Sequence, residues 1–416
     1  MRVSSAVSLF FVAGAVCNAT PTSYKDLEIE IPNSASRDLF EAGEQLAKLA
    51  AFAQESTNQI LAAAAATDGN QNKGICNINN VAVRKEWGDL SHKERKAYTD
   101  AVICLQSKKA RTPPSLVPGA RSRFDDWVAA HINQTQTIHY TGIFLAWHRY
   151  FTWEYEQALR NECNYTGYQP YWDWTKTAAT GLETSPIFDG SEFSMSGNGE
   201  HIANQSAYVV LGDSNGVDEI IAPSGTGGGC VTSGPFKDMT VNLGPVQLLL
   251  PGNQTIANGD GLSYNPRCLK RDLTWEINRR YANATTVVDT LIKSDINDFQ
   301  LTLQGMPDTG ELGAHGGGHF TFGGDAGRDL YISPGEPLFF LHHAMVDRTW
   351  WMFQSFDPAT RTGAGGIAGT ATWLNEPASA NTTLDTELDL GYAAGEVRKM
   401  SELMSTIAGP FCYIYL

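Results

Sequence analysis

A mainly α-helical protein with long loops and a few short strands is what the sequence predicts, and three observations carry that reading. Apolar residues recur at helical spacing in segments 35–66, 81–106, 121–131, 143–160, 270–303 and 338–356. Glycine, serine, proline and asparagine dominate about 175–265, and 357–395 is rich in glycine, alanine and threonine, which reads as loops with short strands. No internal repeat of 20–50 residues divides the chain into like units. The 416 residues would allow two or three domains, but one helical domain with loop excursions explains the alternation better than two domains and a linker.

Taken in order, residues 1–19 read as a secretory signal: Arg2 is the positive start, Ala6 to Val16 the apolar stretch, and Ala15 and Ala19 offer small residues for cleavage. That run is too short to span a bilayer and no later one reaches about 18 apolar residues, so a soluble, secreted protein with no membrane partner is expected. Residues 20–75 form an N-terminal helical extension. Leu39, Leu46, Leu49, Phe52, Ile60 and Leu61, with a run of five alanines, predict one or two amphipathic helices within it. Asp68–Lys73 is a polar break, and the body of the protein runs over 76–416.

In the body, Ser91 and Glu94 form a capping box for the helix expected over 81–106. Helices over 121–131 and 143–160 follow, the second with bulky aromatics on its apolar face. With Cys17 lost alongside the signal, Cys76, Cys104, Cys163, Cys230, Cys268 and Cys412 remain, an even number with no CxxC pair. They read as structural disulfides rather than a metal or redox site. Nested pairing of Cys76 with Cys412, Cys104 with Cys163 and Cys230 with Cys268 would tie the chain ends together; it is one of many connectivities that six cysteines allow. Sequons at Asn133, Asn164, Asn204, Asn253, Asn283 and Asn381 fit a glycosylated secreted protein.

Composition excludes two function classes. With 42% hydrophobic residues, ten Trp, 18 Phe and 15 Tyr, the chain can bury a large core and is not a disordered segment. A net charge of −15 without any basic run argues against nucleic acid as a partner.

Histidine is the scarce residue, and of nine, seven fall in two clusters: His131, His139, His148, and His315, His319, His342, His343. His92 and His201 sit apart in polar contexts and read as exposed bystanders. On a helix, His315 and His319 at i and i+4 share one face within about 6 Å, a two-toothed metal clamp. The same spacing would share a strand face, and the intervening Gly316, Gly317 and Gly318 cost a helix about 1 kcal/mol each against alanine. Metal ligation is a candidate for what offsets that cost. His342 and His343 point about 100° apart on a helix, so at most one can share a metal with that pair.

The HExxH base of a zinc peptidase and the Glu-x-x-His pairs of a di-iron site are both absent, and imidazole-only ligation suits copper, zinc or nickel. Asn133 to Thr137 is a poor helix former, which places His131 at the end of one helix, His139 on a loop and His148 within the next. Three ligands from three elements can enclose one metal, and two such sites facing each other would form a binuclear centre.

The segments HYTGIFLAWHRYFTWEYE (139–156), PYWDW (170–174) and EPLFFLHHAMVDRTWW (336–351) resemble the copper-binding segments of the tyrosinase family, the type 3 copper proteins. The resemblance extends to VRKEWGDLSHKERKAYTDAVICLQ (83–106) and to Tyr413-Ile414-Tyr415, similar to the tyrosine motif that closes the family's catalytic core. It implies a four-helix bundle around two copper ions, one held by His131, His139 and His148, the other by His315, His319 and His343. It implies dioxygen and small phenols as partners, with o-diphenols, o-aminophenols or other substituted phenols oxidised to quinones. Asp347 and Arg348 then orient a helix, and Trp147, Trp153 and Trp172 are core.

Departures from the family pattern sharpen this. Thr137 stands where fungal members often carry a cysteine cross-linked to the second histidine, so that cross-link is excluded. Members active on monophenols often carry Asn after the first histidine of the second site, with a nearby Glu. Here the position is Gly316, with Glu311 or Gln304 as the acidic partner's counterpart, so weak or limited monophenol hydroxylation is expected. Leu330 aligns with a gating Phe of plant enzymes, implying a more open entrance. The sequence ends one residue past the tyrosine motif, where longer relatives continue into a plug domain, so no activating cleavage is expected. A monomer or weak homo-oligomer is the expected state. The alternatives are strong monophenolase activity, dioxygen carriage as in the haemocyanins, and a zinc hydrolase reusing the same ligands.

Overall fold

A computed structural model describes residues 23–27, 29, 39–67, 75–211, 220–252, 254–307 and 309–416. The expected signal at 1–19 with Cys17, the polar break at 68–73 and the sequon Asn253 lie outside the described residues.

The helices in chain order are α1 (Leu39–Thr67), α2 (His92–Ser107), α3 (Arg123–Ile138), α4 (Phe144–Cys163), α5 (Trp174–Thr180), α6 (Trp275–Tyr281), α7 (Ala284–Leu291), α8 (Ile296–Gln304), α9 (Gly313–Phe322), the single turn α10 (Gly324–Gly327) and α11 (Leu338–Ser355). Short antiparallel strand pairs occupy the loop-rich stretch between α5 and α6, as its composition predicts. Within the N-terminal segment Leu39–Thr67 is one continuous helix: α1 packs on α7 and α11, and its Ala42, Leu46, Leu49, Ala53 and Leu61 join the main hydrophobic core. Among the described residues, no helix is long and apolar enough to cross a membrane.

Three expectations are corrected. The segment 81–106 is helical only from His92; Ala82–Arg84 is a strand paired in parallel with Tyr413–Tyr415, and Trp87–Asp89 is a 3-10 turn. The capping box marks the true start, with Ser91 Oγ accepting from Glu94 N and the Glu94 carboxylate accepting from Ser91 N at 2.8 Å. The segment 270–303 divides into three short helices. Most consequentially, α3 runs on to Ile138, so His131 lies inside a helix. Burial of Ile132, Thr135 and Ile138 outweighs the weak propensity of Asn133–Thr137, and Thr135 Oγ1 donates to the His131 carbonyl at 2.6 Å.

The core between α4 and α11 is aromatic: Tyr155 stacks on Phe340, Trp147 on Phe151, and Trp172 is fully buried, whereas Trp153 is half-buried against Phe411. All three nested disulfides form. Beneath the aromatics lies a buried ionic cluster centred on Asp347, which binds Arg149 Nε at 2.5 Å and accepts from the Tyr413 and Tyr415 hydroxyls at 2.6 Å each. Arg84 lies 3.5 Å away and pairs with Glu156 at 2.8 Å. This cluster ties the C-terminal strand to α4 and α11.

Candidate metal centre

Four helices bring the seven histidines together: α3, α4, α9 and α11. His131 projects from the middle of α3, His139 is its C-cap residue, and His148 lies in the second turn of α4. His315 and His319 lie on α9, which settles their shared face as helical, and His342 and His343 on α11. Potential ligand atoms of His131, His139 and His148 lie within 4.8 Å of one another, as do those of the second group. The groups face each other: the His148 and His343 rings stack at 4.4 Å, and His139 and His315 are 5.9 Å apart.

Backbone carbonyls decide which nitrogens are free. The Nδ1 of His131, His139 and His148 lies 2.8, 2.9 and 2.8 Å from the carbonyls of Tyr331, Thr135 and Phe144. A carbonyl only accepts, so each Nδ1 carries the proton and each Nε2 keeps its lone pair. The Nε2 of His131 and His148 is buried without a hydrogen-bond partner among the described residues, as is that of His315. The Nε2 atoms of His319 and His343 approach to 3.3 Å, so two ring nitrogens converge. Orphaned buried lone pairs are costly unless something accepts them, and this donor set fits copper.

His342 differs. Its Nδ1 accepts from the Trp174 indole N–H at 3.0 Å, which places the proton on Nε2 and leaves no lone pair for a metal. Of the two neighbours, His343 is the one whose Nε2 approaches His319, while the His342 ring is held by Trp174.

The glycines between His315 and His319 have separate reasons. A Cβ at Gly317 would lie 2.5 Å from Tyr281 Cβ, and one at Gly318 would lie 2.2 Å from His342 Cε1, so close packing requires both. At Gly316 a Cβ would meet Leu312 at 3.5 Å, ordinary contact. Packing leaves that position free. The Gln304 backbone carbonyl lies 3.9 Å from that Cβ position, while its side-chain Oε1 is turned to Tyr140 N, from which it accepts at 2.8 Å. Glu311 is exposed in the loop before α9. Leu330 is a half-buried turn residue, one before the Tyr331 whose carbonyl orients His131.

Burial, the largest cause, and then in most of them repulsion from neighbouring imidazoles hold all seven histidines below the ordinary value of 6.5. His139 falls to about 4 and His319 to about 3. Each ring is therefore neutral near pH 7. Unfolding restores the ordinary value, so below about pH 6.5 the unfolded chain binds more protons than the folded one. Metal-free protein should therefore hold its full stability above pH 6.5 and lose several kcal/mol as pH falls towards about 4. Thermal midpoints across pH 4–8, with and without copper, check this. A flat profile for the metal-free protein would contradict the neutral cluster.

Sequence reasoning missed the residues that orient the cluster. The carbonyl of Tyr331 is invisible because backbone atoms carry no residue signature. Trp174 lies in the quoted PYWDW segment, but its partner is 168 residues away. Trp373, which packs against both His139 and Tyr140, had no signal beyond being aromatic, and neither had Tyr140.

The family model of the common central domain of tyrosinase matches residues 121–356. Tyrosinase P of Aspergillus terreus is 41% identical over 363 residues, covering 86% of this chain and 98% of the relative. An N-acetyl-6-hydroxytryptophan oxidase of Emericella nidulans is 38% identical over 351 residues, covering 82% and 93%. Among solved structures, a mutant polyphenol oxidase from Thermothelomyces thermophila superposes with a TM-score of 0.83 at 45% identity, covering 90% of this chain and 98% of that one.

Proposed function

The chain belongs to the tyrosinase family of copper oxidoreductases, and from that membership we propose that it oxidises o-diphenols, and o-aminophenols of similar shape, to the corresponding quinones with dioxygen as oxidant. In this reading His131, His139 and His148 hold one copper and His315, His319 and His343 the other. Bound as a pair, the copper ions supply the one-electron steps through which dioxygen takes four electrons from two diphenols and leaves as water.

The chain's own residues do the rest. Carbonyls of Tyr331, Thr135 and Phe144 fix ring tautomer and direction, as outer partners of metal ligands commonly do. Phe339 stacks on His343 at 4.1 Å, and Phe144 lies 5.0 Å from both His148 and His315, so apolar rings exclude water between the clusters. His315 and His319 are the least buried of the seven, at 5% and 8% exposure, so a phenol arrives from the α9 side, next to Gly316.

Gly316 is the observation that carries the preference for diphenols. A monophenol must lose its proton before it can be hydroxylated, and a positioned water needs a polar side chain to hold it. Gly316 has none, and Gln304 spends its Oε1 on Tyr140 N. Because Gly316 has room for a side chain, the Gly316→Asn variant should fold normally and raise the monophenol-to-diphenol rate ratio by roughly a hundredfold, the lower end of what one acid–base aid contributes. Oxygen uptake on tyrosine and catechol measures it. Comparable wild-type rates on the two substrates would defeat the proposal.

The three disulfides support an oxidising compartment. Together with the signal read at 1–19, they favour a secreted enzyme.

A further inference from the structure

We propose that Trp373 is a specificity-determining residue, the fixed wall that sets how bulky a phenol can be on the His139 side of the site; the inference rests on the phenol-oxidising reading above. Trp373 lies in the 3-10 turn Trp373–Asn375 of the loop that follows α11. It is a buried tryptophan that joins neither hydrophobic cluster of the molecule. Its ring instead lies 6.2 Å from that of His139 and 4.8 Å from that of Tyr140. With 8% of its surface exposed, it is buried beside the imidazole yet not sealed from solvent.

The backbone holds this wall in place. Leu374 N donates to the Tyr140 carbonyl at 3.1 Å, and Gly142 N donates to the Thr370 carbonyl at 3.0 Å, so the loop is tied on both sides of Trp373 to the segment that follows His139. The loop's own ends close through Thr382 N to the Gly369 carbonyl at 3.0 Å. Gly369 permits the close approach: its φ is +110°, and a Cβ there would lie 2.7 Å from Gly142 N.

Three non-glycine residues with left-handed backbone meet here, Tyr140 at φ +49°, Leu374 at +48° and Asn375 at +61°. Such conformations persist only where surrounding bonds over-determine them, and they gather at functional sites. Tyr140 is further anchored by its hydroxyl, which donates to the carbonyls of Gln304 and Gly305 at 2.9 and 3.0 Å. The indole is therefore a rigid boundary and not a lid.

The test uses the copper-loaded protein and its Trp373→Ala and Trp373→Phe variants. Catechol and 4-tert-butylcatechol are compared by oxygen uptake, and benzoate and 4-tert-butylbenzoate binding by calorimetry. Trp373→Ala should raise the bulky-to-small ratio of kcat/KM by roughly tenfold or more, chiefly through KM, with the same shift in the benzoate pair. Trp373→Phe should change it by less than about threefold, and both variants should keep two coppers. An unchanged ratio in copper-replete Trp373→Ala overturns the proposal. Loss of copper in both variants also overturns it, by making the indole a brace for His139. A wild-type protein that leaves catechol unoxidised refutes the functional reading instead, while the benzoate pair still reads the wall.

Discussion

His315→Ala is expected to carry less than two coppers per chain and to lose catechol oxidation by at least roughly a hundredfold, the upper end of what loss of even an outer partner costs a metal site. His315 Nε2 is buried and has no hydrogen-bond partner among the described residues, which leaves that nitrogen available to an ion. Removing it leaves His319 and His343 as a two-nitrogen site. The matched control is His342→Gln, one helical position from His343 and as deeply buried. Because His342 spends its lone pair on Trp174, this variant should keep two coppers while losing some stability. Metal analysis and oxygen uptake read both. Full copper and activity in His315→Ala would refute the ligand set, and loss of one copper in His342→Gln would show that the two neighbours had been assigned in reverse.

That pair of variants also marks where the sequence stopped being informative. Spacing alone allowed one of His342 and His343 to join the metal, and choosing His343 rested on resemblance; what distinguishes the two rings in the structure is an indole N–H that reaches His342 from a segment distant in sequence. Helix periods located α1, α4 and α11 because their apolar faces are long. They failed over Asn133–Thr137, where buried Ile132, Thr135 and Ile138 outweigh weak propensity. Ala82–Arg84 likewise borrows its strand from Tyr413–Tyr415 at the far end of the chain, a pairing that no local pattern encodes. The three glycines of α9 look alike in sequence, yet packing demands two of them and leaves Gly316 free. Chemistry was legible where residue types were scarce, as with histidine, and hidden where backbone carbonyls or common aromatics do the positioning.

Asp347→Asn should destabilise the protein by about 3–5 kcal/mol, the cost of removing one partner from a buried charge network. The wild-type cluster sets the guanidiniums of Arg84 and Arg149 against the carboxylates of Glu156 and Asp347, all four nearly or fully inaccessible to solvent. An amide keeps the shape and one acceptor but leaves two buried cations facing a single carboxylate. Two phenols also lose a charged acceptor: Tyr413 and Tyr415 both donate to Asp347 Oδ2, and burial has already raised both hydroxyls above their ordinary pKa. The damage should reach the metal centre. Asp347 lies one turn beyond His343 on α11 and Arg149 directly follows His148 on α4, so the ion pair that locks these helices sits beside a histidine from each cluster. Tyr415→Phe, which removes the hydrogen bond to Asp347 and the one accepted from Arg84 but no charge, should cost about 1.5–3 kcal/mol and leave copper content intact. Denaturant unfolding of the copper-loaded and metal-free forms separates the two contributions. An Asp347→Asn variant within about 1 kcal/mol of wild type in both forms would mean that the cluster contributes little net stability, the balance reached when desolvation of buried charges cancels their attraction.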